Sequence, residues 1–283
     1  MKLSIIVPTH ERPDALRACL ESIYVAMDSS PGFDYEIIVS DDGTRTRAQS
    51  MLGADFPLVK WIAGPRRGPA ANRNAGAARA SGEVIIFLDD DCLPTPGLLS
   101  AYANAFTNPA LLAAEGRIRA DRPHMRMDEE APVNEHGDCF WSCNIALRRE
   151  FFLTIGGFDE RFPSAAMEDV ELRERIKRFG TTILFVPEAL VIHPLRRTGG
   201  WKALRTRAHG HGVYALIPGC HLPPPSYLSA IWATLRVLRR RFLPRFIELR
   251  GRGALRASLS ILLPLLSTYE MKKALRASKS QKP

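Results

Sequence analysis

The chain has 283 residues, 46% of them hydrophobic and 24% charged, which suffices for one large α/β domain plus an appendage. Five cysteines, at positions 19, 92, 139, 143 and 220, are odd in number and lack paired C-x-x-C spacing, which argues against a disulfide framework or a zinc site and for a reducing cytoplasm. The net charge of +9 is unevenly divided: residues 1–195 hold 21 Lys and Arg against 28 Asp and Glu (−7), and residues 196–283 hold 18 against 2 (+16), so only the tail seeks an anionic surface.

Met1 and Lys2 lead straight into a short apolar run, Leu3–Val7, with no secretory leader pattern, and Pro8 stops it. A helix follows, with Leu16, Cys19, Leu20, Ile23, Tyr24 and Met27 on one stripe. Tyr35–Ser40 repeats the strand signal and ends at Asp41, Asp42 and Gly43, and Leu58–Ala63 gives a third strand. Pro69 then opens an Ala-rich helix whose small residues allow close packing on a sheet.

Val84–Leu88 is apolar throughout, as in a strand covered on both faces, and stops at Asp89, Asp90 and Asp91 before Pro94 and Pro96. Ligands of open α/β sheets bind beyond the carboxyl ends of the strands, where these carboxylates fall. In an extended segment Asp89 and Asp91 share a face and Asp90 points away, which would suit Mg²⁺ or Mn²⁺ held jointly with a phosphate. The other reading is a solvated acidic loop or a helix-capping cluster. Four strands alternating with helices predict an α/β fold with a doubly wound, mainly parallel sheet.

Beyond Pro96 the pattern predicts a helix to Phe106, a strand over Leu111–Ile118 and a loop over Arg119–Gly137 that covers the site. Gly156 and Gly157 end a short helix, and Met167–Phe179 reads as another. Glu168 and Asp169 lie at its N-terminus, where the helix dipole favours negative charge and where acidic residues also serve as caps. Two strands, Thr182–Val186 and Ala189–Ile192, then lead to His193. Tyr227–Phe242 sets Leu228, Ile231, Leu235, Leu238 and Phe242 at helical spacing beside Arg236, Arg239, Arg240 and Arg241, and the apolar SLSILLPLLSTY follows. Neither run is long enough to span a bilayer; a basic amphipathic helix on an anionic membrane and a helical subdomain packed on the body both fit.

Taken in order, SIIVPTHERPDALRACLESI, EIIVSDDGT, GPAANRNAGAARASGEVIIFLDDDCLP, IGGFDERFP and MEDVELRERIKRFG resemble the family 2 glycosyltransferases over about residues 3–195. The resemblance implies a GT-A catalytic domain over 1–195, with 1–95 binding nucleotide and 96–195 acceptor, followed by a basic helical tail over 196–283. It implies inverting transfer from a nucleotide-diphosphate sugar, and the expected acceptor is a glycan or lipid-linked envelope molecule met, on the charge of the tail, at the inner face of the cell membrane. Pro8, Thr9, Glu11 and Asp41 would surround base and ribose, with Arg73 near the nucleotide, although Asn72 stands where the family often has Ala. Asp89 and Asp91 would hold Mn²⁺ or Mg²⁺, Asp90 would face the sugar, and His193 would be a further ligand. Asp169 would act as catalytic base with Glu168 in support. Two other classes remain beside it: a sugar-nucleotide-binding protein without turnover, and a nucleic-acid binder using the tail. No nucleic-acid motif accompanies the arginines.

Overall fold

The computed structural model describes residues 1–45, 47–197, 200–219 and 226–280; Cys220 lies outside the described residues. These residues form two compact units, the first of 1–121, 132–163 and 172–194, the second of 122–131, 164–171 and 195–283. Two pieces of the sequence-defined first block, 122–131 and 164–171, therefore group with the C-terminal residues.

The first unit opens with β1 (Lys2–Thr9), α1 (Pro13–Asp28), β2 (Asp34–Asp41), α2 (Ala48–Leu52), β3 (Val59–Ala63), α3 (Pro69–Ala78) and β4 (Val84–Leu88). After β5 (Leu93–Pro94) and α4 (Leu98–Ala105) comes β6 (Ala113–Ala120). Of the next elements, β7 (Glu129–Glu130) lies in the second unit, whereas β8 (Asn144–Arg148) and α5 (Arg149–Thr154) return to the first. α6 (Glu168–Arg178) begins among second-unit residues, and β9 (Ile183–His193) closes the sheet.

That sheet has eight strands in the order β3-β2-β1-β4-β8-β6-β9-β5. β1, β2, β3 and β4 are mutually parallel; β8 runs antiparallel to β4 and to β6, and β9 is parallel to β6. Two reversals through β8 thus leave β9 pointing the same way as β4. The expected four-strand parallel half is present, and the sheet is mixed beyond it. The two strands expected near residues 182–192 are one, in which residues 187–189 bulge out of register opposite Gly116 and Arg117 of β6.

Alternation along the strands builds two cores. Leu3, Ile5, Val7, Val84, Ile86 and Leu88 face α1 and α4, where Leu16, Leu20, Ile23, Leu98 and Tyr102 are buried. Ile6, Ile38, Ile85 and Phe87 face the opposite layer, with α3, Phe152, Phe158, Leu172 and Ile176. Gly76 lets α3 lie close on β1, since a Cβ there would run into Ile6. Cys19, Cys92, Cys139 and Cys143 are free thiols.

The segment expected as a loop over 119–137 is instead anchored. Its return is fixed by Glu115 of β6, whose buried carboxylate accepts backbone N–H groups of Asp138 (2.6 Å), Cys139 (3.1 Å) and Phe140 (2.6 Å) and the Asn134 amide (2.8 Å). Replacing Glu115 by Ala leaves several buried donors without an acceptor and is expected to lower stability by about 3–5 kcal/mol. Chemical denaturation would show it, and a loss within experimental error would mean that water replaces the carboxylate.

In the second unit β7 pairs with β10 (Arg196–Arg197), and Arg207 of α7 (Trp201–Tyr214) makes an ion pair with Glu130. A nearly continuous helical run follows: α8 (Tyr227–Val237), a π-helical segment Leu238–Phe242, and α9 (Leu243–Glu248). α10 (Ala254–Ala257), a 3₁₀ turn and α11 (Leu263–Ser280) complete it, with α11 packed on α7 and α8. Ser267, Thr268 and Met271 of α11 are buried, whereas Leu262 and Tyr269 of SLSILLPLLSTY are exposed and its isoleucine and other leucines are half-buried. No helix among the described residues is long and apolar enough to cross a membrane.

Candidate active site

The carboxyl ends of β1, β2, β4 and β9 lie on one edge of the sheet, and they carry Thr9, Asp41, Asp89–Asp91 and His193. Beyond β4 the chain does not stay extended. It turns at once, with the Cys92 N–H donating to the Asp89 carbonyl at 3.0 Å, so strand alternation does not govern where the three carboxylates point.

Asp90, expected to face the sugar, turns inward. It is fully buried, accepts the Thr9 hydroxyl at 2.7 Å and makes an ion pair with Arg12. Burial pushes its carboxyl up to about 7, against the opposing pull of Arg12 and Thr9. Asp89 faces Arg73, at 2.6 Å. Burial disfavours the charge on Asp89, but Arg73 outweighs it and holds the carboxyl below its usual range. Asp91 faces His193, whose Nε2 lies 3.4 Å from its Oδ1.

The donor set at Asp91 fits a divalent cation. Ligand atoms of Asp91, Cys92 and His193 all lie within 4.8 Å of one another, and all three residues are buried. His193 Nδ1 lies 3.0 Å from the Pro194 carbonyl, which calls for a hydrogen on Nδ1 and leaves Nε2 facing Asp91. Carboxylate and imidazole suit Mn²⁺. Cys92 is the weakest member, since its thiol points at the Cys143 carbonyl and burial pushes its pKa far up. Asp89, expected beside Asp91 as a ligand, is not in this group and pairs with Arg73.

Arg73 is itself buried, with its guanidinium 5.5 Å from the centroid of the Phe158 ring. Asn72, the departure from the family pattern, joins two strand ends. Its side-chain oxygen accepts the Ser40 hydroxyl at 2.5 Å, and its amide donates to the Ser40 and Thr9 carbonyls at 3.0 and 3.3 Å. An alanine there would leave these groups to solvent or ligand.

Asp41 and Glu11 organise the neighbouring loop. Asp41 accepts N–H groups of Gly43 (2.7 Å) and Ala48 (2.8 Å), and Glu11 accepts those of Thr44 (2.7 Å) and Arg45 (2.6 Å). Glu11 has a positive φ of 55°, a strained backbone of the sort that gathers at ligand sites. Pro8 is buried within β1 opposite Ser40. Glu168 and Asp169 belong to the second unit and to the first turn of α6; Glu168 is buried, and Asp169 is half-exposed with the Val170 N–H at 2.8 Å from its Oδ1.

Sequence reasoning passed over Arg12. It stands just before α1 and reaches Asp90 as well as Asp91, at 3.1 Å. Partial burial works against its charge, but Asp90, Asp91 and Asp89 outweigh that and raise its pKa. The signal lay in the spacing: an arginine three residues past a strand whose parallel neighbour ends in carboxylates. The guanidinium competes with a cation for Asp91, so Arg12→Gln is expected to tighten Mn²⁺ binding by about tenfold. Calorimetric titration would read this, and unchanged affinity would mean that Arg12 leaves the ion's position open.

The fold has close parallels among solved structures. A mannosyltransferase from Pyrobaculum calidifontis, determined in complex with GDP-Man and Mn²⁺, superposes with a TM-score of 0.58 at 17% identity, covering 99% of this chain and 76% of that one. The architecture is thus the GT-A fold. Residues 4–156 match the model of glycosyl transferase family 2, and the chain belongs to that family. Among its relatives, the O-antigen biosynthesis protein RfbC of Myxococcus xanthus is 32% identical over 68% of this chain and 17% of its own length. The GalNAc(5)-diNAcBac-PP-undecaprenol beta-1,3-glucosyltransferase of Campylobacter jejuni is 32% identical over 47% of this chain and 46% of its own. The chain therefore spans less than half the length of either.

Proposed function

We propose that the chain is an inverting glycosyltransferase that passes a sugar from a nucleoside-diphosphate donor to a lipid-linked or cell-envelope glycan. Family membership supports transfer, and the names of the Myxococcus and Campylobacter relatives support that acceptor class. The observation that carries a metal-assisted reading is the cluster of Asp91 and His193 at the carboxyl ends of parallel strands.

In this reading Asp91 and His193 hold Mn²⁺ or Mg²⁺. The ion supplies Lewis-acid stabilisation of the departing diphosphate. Pro8, Thr9, Glu11 and Asp41 line the place of the base and ribose, Glu11 and Asp41 by shaping the loop after β2. Arg73 fixes Asp89, which is left to accept hydroxyls of the donor. Asp90 acts from beneath by holding Thr9 and Arg12. Asp169 takes the proton of the attacking hydroxyl, and Glu168 supports it. Single displacement needs no covalent carboxylate, so one base suffices.

The donor is found by thermal-shift screening of uridine, guanosine and thymidine diphosphate sugars with Mn²⁺. A selective rise in melting temperature for one of them is the expected result. No rise with any donor, on protein that melts cooperatively, would count against a sugar-nucleotide site.

A further inference from the structure

Folding leaves one side of the C-terminal helical run dressed in apolar groups. On α8, Leu228, Ile231, Trp232 and Leu235 recur at helical spacing and are all exposed, Trp232 to 64%. Across the same helix Ala230 is buried, so the inward face is already used in packing, where α11 contacts α8. Beyond the π-helical segment, exposed Leu243, Phe246 and Ile247 extend the apolar surface along α9, with Ile247 at 78%. Large apolar side chains left exposed together along one helical run mark an interaction site more often than singly scattered ones do.

The charge beside it selects the partner. Between Tyr227 and Arg256 the sequence holds eight arginines and a single acidic residue, Glu248. Arg236, Arg239, Arg240 and Arg241 are exposed, and Lys272 lies 4.3 Å from the centroid of the Tyr227 ring at the start of the stripe. A second copy of the chain, meeting this face symmetrically, would set arginines against arginines. Nucleic acid would satisfy the arginines and leave the leucines, isoleucines and tryptophan in water. An anionic bilayer serves both, with phosphate heads for the guanidiniums and acyl chains for the stripe, and a tryptophan favours that boundary.

We propose that the outer face of α8 and α9 docks the chain flat on a bilayer rich in anionic phospholipid. The docking stands apart from the transfer chemistry, since none of these residues is placed in the reaction. The test uses the full chain in co-sedimentation with phosphatidylglycerol-containing vesicles and with pure phosphatidylcholine vesicles, at low and high salt. Two triple variants accompany it, Leu228→Ser with Trp232→Ser and Leu235→Ser, and Arg236→Gln with Arg239→Gln and Arg240→Gln. Wild type should bind the anionic vesicles and be released by salt, and each variant should bind about 100-fold more weakly with its melting temperature kept.

Wild type that ignores anionic vesicles, or a serine variant that binds them as well as wild type, would overturn the proposal. So would a stable dimer by light scattering that the serine variant dissolves, since the face would then be a contact between copies. Vesicle binding by a protein that takes no nucleotide would leave the docking intact and count against the transferase reading.

Discussion

Replacing Asp169 by Asn is expected to slow sugar transfer by roughly 10²- to 10⁴-fold, the range for loss of a positioned general base, while donor affinity barely moves. Asn preserves the size of the side chain and is as good a helix cap as Asp, so the substitution removes the proton acceptor and little else. Asp169 stands in the first turn of α6 with the Val170 N–H at its carboxylate, and its side chain is half-exposed where that of Glu168 is buried. If the residue only caps, the variant keeps rate and stability together. Rate and donor affinity measured on the same folded preparation separate the cases, and near-normal turnover would pass the role of base to Glu168.

Asp91→Ala is the second large effect. Outer-shell partners of a bound metal alone cost ~10–100-fold in affinity when removed, so loss of a ligand should weaken Mn²⁺ binding by more than that. His193 would remain with its Nε2 facing an emptied position, and Arg12 would lose one of its two carboxylate partners. The fold should survive, because Asp90 keeps both Thr9 and Arg12. Donor affinity should fall in parallel with metal affinity. A variant that binds donor as wild type does, with or without Mn²⁺, would remove Asp91 from the site.

The sequence revealed the strands and the edge of the sheet where ligands arrive, because buried parallel strands are continuous apolar runs whose ends are marked by Asp or Pro. β1, β2, β3 and β4 fall within a residue or two of the stretches read from Leu3, Tyr35, Leu58 and Val84. Side-chain directions past a strand end were not legible. The turn at Asp89–Cys92 swings Asp90 under the site and joins it to Thr9, a pairing 81 residues apart in sequence that no local pattern encodes. Arg12 was hidden for the same reason, as its partners come from β4. The loop beyond β6 looked unstructured because Glu115, which anchors it, reads as one more charged residue until its backbone partners are seen.

The tail shows the converse. Composition alone left a membrane helix and a packed subdomain as equal readings; α11 packs on α7 and α8, and the outer side of α8 stays exposed. Asn72 is instructive in another way. Standing where the family often has Ala, it ties Ser40 to Thr9 across two parallel strands.

Metal-dependent capture of a nucleoside diphosphate is the claim on which the account turns, and calorimetric titration of the full chain with UDP, GDP and dTDP, with Mn²⁺ and then with a chelator, tests it most directly. One of the three should bind with Mn²⁺ present and lose most of its affinity when the metal is removed. Binding of none of them to folded protein, or binding that the chelator leaves unchanged, would contradict the assignment of Asp91 and His193 to a catalytic cation.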